Sequence, residues 1–196
     1  LFELLTASGQ PSEKKQYKAE HITIAPVING ILDEEIWQGG GWVDDFTQHE
    51  PYNGARATQR TEFKIVFDKD NLYVGVKAYD TCPDSIVNRL TRRDHPDGDL
   101  VAIIVDSFHD LRTGFVFGIS SAGVKYDFMM TNDGQNEDKS WDPNWWSKTT
   151  INNEGWIAEM KIPFSQVRFE ENSGDVWGLE MARVLYRKQE TTFWQH

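Results

Sequence analysis

The sequence predicts an all-β fold, an antiparallel β-sandwich with short helical turns, and three observations carry that expectation. First, residues 97–133, DGDLVAIIVDSFHDLRTGFVFGISSAGVKYDFMMTND, contain three runs rich in β-branched and aromatic residues, at 100–108, 113–120 and 124–131. Only His109-Asp110-Leu111-Arg112 and Ser121-Ala122-Gly123 separate them. Breaks this short join antiparallel neighbours, because a parallel crossover needs a dozen or more residues. Second, apolar residues alternate within the runs. Phe115, Phe117 and Ile119 share one face, as do Val124, Tyr126, Phe128 and Met130. Val101-Ala102-Ile103-Ile104-Val105 is apolar on both faces, which places it centrally and covered on two sides. Third, 61–67 and 72–79 form a hairpin across Asp68-Lys69-Asp70-Asn71, and 145–151 and 155–162 form another across Asn152-Asn153-Glu154-Gly155. On the polar side of the third central run, Lys125, Asp127 and Thr131 make a candidate ligand-facing surface.

The remaining elements follow in order. Residues 10–20 are polar and unpatterned, 1–19 read as a mobile leader, and 20–196 read as one domain without internal repeats. His21-Ile22-Thr23-Ile24 alternates as a first strand ended by Pro26. Asp33 can cap a short helix carrying Glu34 and Glu35 in its first turn, with Ile36 and Trp37 plugging it onto the sandwich and Gly39-Gly40-Gly41 ending it. Residues 42–48 read as an edge strand, 83–89 as a helical turn, and 91–98 and 132–144 as charged loops. Strands at 175–187 and 191–195 complete the sheets.

Composition narrows the function. A net charge of −11 argues against nucleic acid, whose phosphates need a basic patch, and against an anionic membrane surface. No apolar run approaches the roughly 20 residues of a membrane helix. The single Cys82 permits no internal disulfide. Five histidines show no metal-ligand spacing, and there is no Gly-rich phosphate loop, so no residue is singled out as catalytic. Aromatics make up 13% of the chain, with eight Trp; a sandwich core absorbs several of these, and the number directs attention to rings displayed for stacking on a ligand.

Several stretches, taken in their order, resemble one family: Ile28-Asn29-Gly30-Ile31-Leu32-Asp33-Glu34-Glu35-Ile36-Trp37, Phe67-Asp68-Lys69-Asp70-Asn71-Leu72-Tyr73-Val74-Gly75, Arg93-Asp94 through Asp106, Gly155-Trp156-Ile157-Ala158-Glu159-Met160-Lys161-Ile162-Pro163-Phe164, and Trp177-Gly178 with Arg183. They resemble family 9 carbohydrate-binding modules, whose fold is called DOMON-like. More narrowly, Arg93-Asp94, Ser140-Trp141-Asp142 with Trp145, and Arg187, Glu190 and Trp194 resemble the N-terminal module of large bacterial cell-envelope proteins. Those proteins carry an uncharacterised C-terminal region, and some are labelled membrane-associated hydrolases. The resemblance implies a sandwich of jelly-roll or immunoglobulin-like kind, binding of an oligo- or polysaccharide, often Ca²⁺, an extracytoplasmic location, and the C-terminal region of the full-length protein as a partner. It also implies a sugar held between two Trp rings. The neighbourhood matching one of them is His95-Pro96, and the positions of a sugar-binding Glu and Arg fall near Ala102 and Gly118.

Three constellations are therefore candidates. In Trp141-Asp142-Pro143-Asn144-Trp145-Trp146, rings beside Asp and Asn side chains suit a pyranose face and its hydroxyls; the same rings could instead anchor the loop. Trp141, Trp145 and Trp146, with Arg93 and Asp127, are the expected ligand contacts, and alternation places Trp145 and Trp146 on opposite sides. Asp94, Asp97 and Asp99, with Asp133, Glu137 and Asp138 from the other acidic loop, are the expected Ca²⁺ ligands, since hard cations take six to eight oxygens. Asp106, Asp127 and Glu159 are the acids a glycoside hydrolase would need to bring within about 5 to 9.5 Å of one another. The sequence thus favours non-catalytic carbohydrate binding, with a glycosidase and a sugar-free docking domain as alternatives.

Overall fold

The computed structural model describes residues 14–132, 134–168 and 176–195. In chain order its elements are β1 (Glu20–His21), α1 (Glu35–Gln38), β2 (Thr47–Glu50), β3 (Thr61–Phe67), β4 (Asn71–Tyr79), β5 (Asn88–Arg89), β6 (Asp97–Gly98), β7 (Leu100–Asp106), β8 (Gly114–Ser120), β9 (Lys125–Thr131), β10 (Asn136–Asp138), β11 (Trp146–Asn152), β12 (Gly155–Pro163), β13 (Gly178–Leu185) and β14 (Glu190–Phe193). A five-stranded sheet, β1-β3-β4-β12-β11, faces a seven-stranded sheet, β10-β9-β8-β7-β13-β14-β2; β5 and β6 pair separately. Every pairing is antiparallel except β1 with β3. The predicted sandwich, its central meander and its two hairpins are all present.

Alternation explains the interior. Phe63, Ile65, Val74, Val76, Ala158 and Met160 point in from one sheet; Val101, Ile103, Phe115, Phe117, Ile119 and Met181 point in from the other. Arg183 is a charged member of the same interior face. Only 2% exposed, it reaches from β13 across the interior and donates to Arg60 O (2.8 Å), Thr61 Oγ1 (3.1 Å) and Tyr79 O (2.8 Å). Burial pushes its pKa down to about 10. Beside it, Arg187 grips Asp80 with two hydrogen bonds of 2.5 and 2.8 Å. Burial raises the Asp80 pKa, but Arg187 and the Cys82 N–H outweigh it and hold the carboxyl below its usual range.

The first strand is shorter than its sequence suggests. After His21 the chain leaves β1 and lies as a strap across the outer face of the five-stranded sheet, where Ile22, Leu32 and Trp37 pack on Val66 and Tyr73. Gly75 makes the close approach possible: a Cβ there would lie 3.0 Å from both Leu32 Cδ2 and Trp37 Cζ3. Glu159 pins the strap by accepting from Asn29 N (3.0 Å) and Gly30 N (2.6 Å), and Lys64 donates to Ile36 O (2.6 Å). Helix α1 starts at Glu35 with Glu34 at its cap and no side-chain capping bond, so Asp33 does not cap it. The expected edge strand is reduced to β2, and the three polar residues of β10 add an edge that alternation does not signal.

The leader expected over 1–19 lies outside the described residues as far as 13. Lys15 exchanges hydrogen bonds with Gln195 (3.0 and 2.9 Å), and Tyr17 donates to Ile65 O (3.1 Å), tying this segment to the body.

Candidate functional site

The aromatic loop is split by its own alternation. Trp145 is 2% exposed, whereas Trp146 is 54% exposed. Trp141 is half-buried, with its ring 5.2 Å from Phe115 and 5.3 Å from Phe117. Trp141 and Trp145 thus plug the gap where the chain passes from the edge of one sheet to the edge of the other. Only Trp146 is displayed, on the outer side of β11.

Arg93, Asp127 and Trp145 are brought together, but as an internal clasp. Arg93 Nη2 donates to both oxygens of Asp127 (2.8 and 2.9 Å) and to Pro143 O (3.1 Å), and pairs with Asp142 at 2.5 Å. Trp145 Nε1 donates to the same Asp127 carboxylate at 3.2 Å, and Lys125 Nζ donates to Trp145 O. Asp127 is 1% exposed, because it stands opposite Phe117 and therefore faces the interior. Burial pushes its pKa up, opposed by the Arg93 and Trp145 hydrogen bonds; burial and the neighbouring Arg93 charge push the Lys125 pKa down. The expectation of a solvent-facing Lys125–Asp127 surface is thereby corrected. Lys125 and Asp127 point inward beside Met129, where partners satisfy them, and Tyr126, Phe128 and Met130 point outward.

That inversion exposes a different surface. On the outer face of the seven-stranded sheet, Tyr126, Gly118, Ala102, Ala182 and Phe193 stand in one registered row across five strands. At about 4.8 Å per strand the row spans roughly 19 Å. The rows on either side carry larger residues, Phe128, Val116 and Ile104 on one side and Leu100 and Val184 on the other. The small residues thus form the floor of a shallow apolar groove, with Ala102 and Ala182 shielded by these neighbours to 5% and 9% exposure. Tyr126 lies against the floor beside Gly118, its Cδ1 3.5 Å from where a Cβ would stand. The far end carries Phe193, with the His49 ring 5.3 Å away. Ala102 and Gly118, the positions onto which the sugar-binding Glu and Arg of the resemblance fall, are directly opposite each other on this floor. Sequence reasoning missed the groove because it assigned the apolar face of β9 to the core.

The three aspartates expected to share a cation part company. Asp97 pairs with Arg89 at 2.9 Å, and Asp94 Oδ1 accepts from Asp127 N at 3.3 Å. Asp99 is fully buried, accepting from Val87 N (3.4 Å) and Tyr186 N (3.3 Å). Among the described residues no group of three or more His, Cys, Asp or Glu is arranged to hold a metal ion; Asp133 lies outside them. The glycosidase trio is also dispersed. Asp106 faces outward on the seven-stranded sheet, where it accepts from Leu111 N (2.7 Å); Asp127 faces the interior; Glu159 lies under the strap on the opposite outer face. These acids cannot flank one bond.

One further cleft, of about 880 Å³, opens beside Asp44, Asp45, Arg56, Thr58, Gln59 and Arg60. Its one aromatic neighbour, Phe46, is buried, so it offers no ring for stacking.

The family profile described as carbohydrate family 9 binding domain-like matches residues 28–192, and the chain belongs to that family. Among solved structures, a family 9 carbohydrate-binding module from Caldicellulosiruptor kristjanssonii in complex with glucose is similar at 20% identity, over 91% of each chain, with a TM-score of 0.61. A family 9 module from the same organism in complex with cellotriose matches at 20% identity over 91% of this chain and 88% of that one, with a TM-score of 0.60. A protein from Bacteroides uniformis shares the fold at 12% identity, over 93% and 90% of the two chains, with a TM-score of 0.64. No curated protein matches the chain.

Proposed function

We propose that this chain binds an oligo- or polysaccharide without cleaving it, along the outer groove of the seven-stranded sheet, as a module of an extracytoplasmic protein. The observation that carries the reading is the family match over residues 28–192. The solved Caldicellulosiruptor modules, bound to glucose and to cellotriose, support it at the level of fold and ligand class. The groove suits the task physically. Its apolar floor and the Tyr126 and Phe193 rings accept the C–H-rich face of a pyranose, and a net charge of −11 favours a ligand without phosphate. No helix among the described residues is long and apolar enough to cross a membrane. A partner C-terminal region in a longer polypeptide belongs to the same proposal.

The test is calorimetric titration with cellotriose and a panel of neutral oligosaccharides, beside an assay for released reducing ends. Binding without release is expected, with Tyr126→Ala and Phe193→Ala each weakening it about tenfold, or roughly 1.4 kcal/mol. Release of reducing ends, or affinities untouched by both substitutions, would refute the reading.

A further inference from the structure

On the far side of the sandwich from the groove, the outer face of the five-stranded sheet is covered by the strap only in part. The strap crosses β11 at Gly30, whose Cβ position lies 2.6 Å from Thr150 Oγ1. At the other end of β11, Trp146 stands uncovered, 54% exposed. Register places Lys161 directly opposite it, and the Lys161 ammonium lies 5.4 Å from the indole centroid and 6.0 Å from that of Tyr73. Lys148, exposed, follows two residues along the same strand and so on the same face, about 7 Å away. Neither Lys148 nor Lys161 forms an ion pair among the described residues, although the chain carries 31 acidic side chains against 20 basic ones.

We infer that Trp146, Lys148 and Lys161 form a second saccharide site that takes a hexuronate-bearing glycan. The indole supplies a flat surface for the C–H face of a sugar ring, and the two ammonium groups supply counter-charge for its carboxylate. Lys161 is positioned by the two rings it lies between, so less freedom is lost on binding. The groove on the opposite sheet has no lysine or arginine in its floor row, and the Lys139 ammonium 5.9 Å from its Tyr126 ring is paired with Glu137 at 3.1 Å, so the two surfaces differ in the counter-charge they offer. The inference rests on the carbohydrate-binding reading only in that both sites take saccharides.

The experiment titrates the whole chain with a hexameric oligogalacturonate, with its carboxyl-reduced neutral counterpart, and with cellotriose. Wild type is expected to bind the oligogalacturonate, more weakly as salt is added, and to lose about tenfold or more of that affinity in Trp146→Ala. Lys148→Gln with Lys161→Gln should lower the affinity similarly and flatten its salt dependence, while Phe193→Ala leaves uronate binding unchanged. All three positions have exposed or half-exposed side chains, and thermal melting confirms that the variants fold. Absence of oligogalacturonate binding, equal binding of the reduced hexamer, or affinity that survives Trp146→Ala overturns the inference. Cellotriose binding reports separately on the groove, so either site can fail while the other stands.

Discussion

Replacing Arg93 by Met tests whether the clasp at the sandwich edge serves structure or ligand. In the folded chain Arg93 Nη2 satisfies both oxygens of Asp127, a carboxylate that is 1% exposed. The substitution leaves that group with Trp145 Nε1, at 3.2 Å, as its remaining side-chain donor. Breaking a fully buried pair from one side costs about 3–5 kcal/mol. The Arg93 side chain is 37% exposed, and its contact with Asp142 is open to solvent, so the expected loss at neutral pH is reduced to about 2 kcal/mol. With a urea slope of about 2 kcal/mol/M, the unfolding midpoint should fall by roughly 1 M. The sign with pH follows from Asp127, whose folded pKa is already raised by burial. A raised carboxyl contributes stability below its unfolded pKa, about 3.9, and loses it as pH rises through the folded value. Without Arg93 the folded value rises further. The deficit of Arg93→Met should therefore be small near pH 4 and grow toward neutrality. Adding Asp127→Asn should recover most of it, and cellotriose affinity should not change. A cost below about 0.5 kcal/mol that is constant with pH, or a double variant no better than the single, would show the clasp to be an ordinary surface ion pair.

Other expectations follow from the same contacts. Trp145→Phe removes the indole N–H from Asp127 and leaves a void beside Phe117, 5.6 Å from the Trp145 ring; chemical denaturation should show a loss of about 2–4 kcal/mol. Glu159→Gln keeps an acceptor for Asn29 and Gly30. Burial raises the Glu159 pKa, so wild type should lose stability as pH rises from about 4.3 through that raised value, whereas the variant's melting temperature should stay flat there. Gly75→Ala puts a methyl 3.0 Å from Trp37 and Leu32 and should cost about 1–3 kcal/mol by denaturant titration, with the strap loosened in hydrogen exchange.

The sheets were legible in the sequence where turns and alternation agreed. The central meander and both long hairpins fall at their predicted places because three- and four-residue breaks leave no other pairing. The division of Trp145 from Trp146 followed from the two-residue repeat of an extended chain. The orientation of β9 did not. Tyr126, Phe128 and Met130 look like core from composition, yet they line the outer groove, while Lys125 and Asp127 turn inward to partners 18 to 34 residues away in sequence. Alternation fixes which residues share a face but not which face is buried when both are partly apolar. The strap was legible where Ile36 and Trp37 plug it onto the sheet, and the rest of it was opaque for a related reason. Its hold on the sheet depends on a bare strand position at Gly75 and a buried carboxylate at Glu159, neither of which shows in a hydropathy pattern.

The guanidinium of Arg183 has a mechanical consequence. A protein that grips a polymer is pulled by it, and two stacked layers joined only by oily side chains can slip past one another under tension. Here sliding would tear one cation from three oxygens on the facing layer simultaneously, with no water at hand to replace them. Under load the sandwich should therefore give way by peeling at its short margins, β10 and β2, before its layers shear.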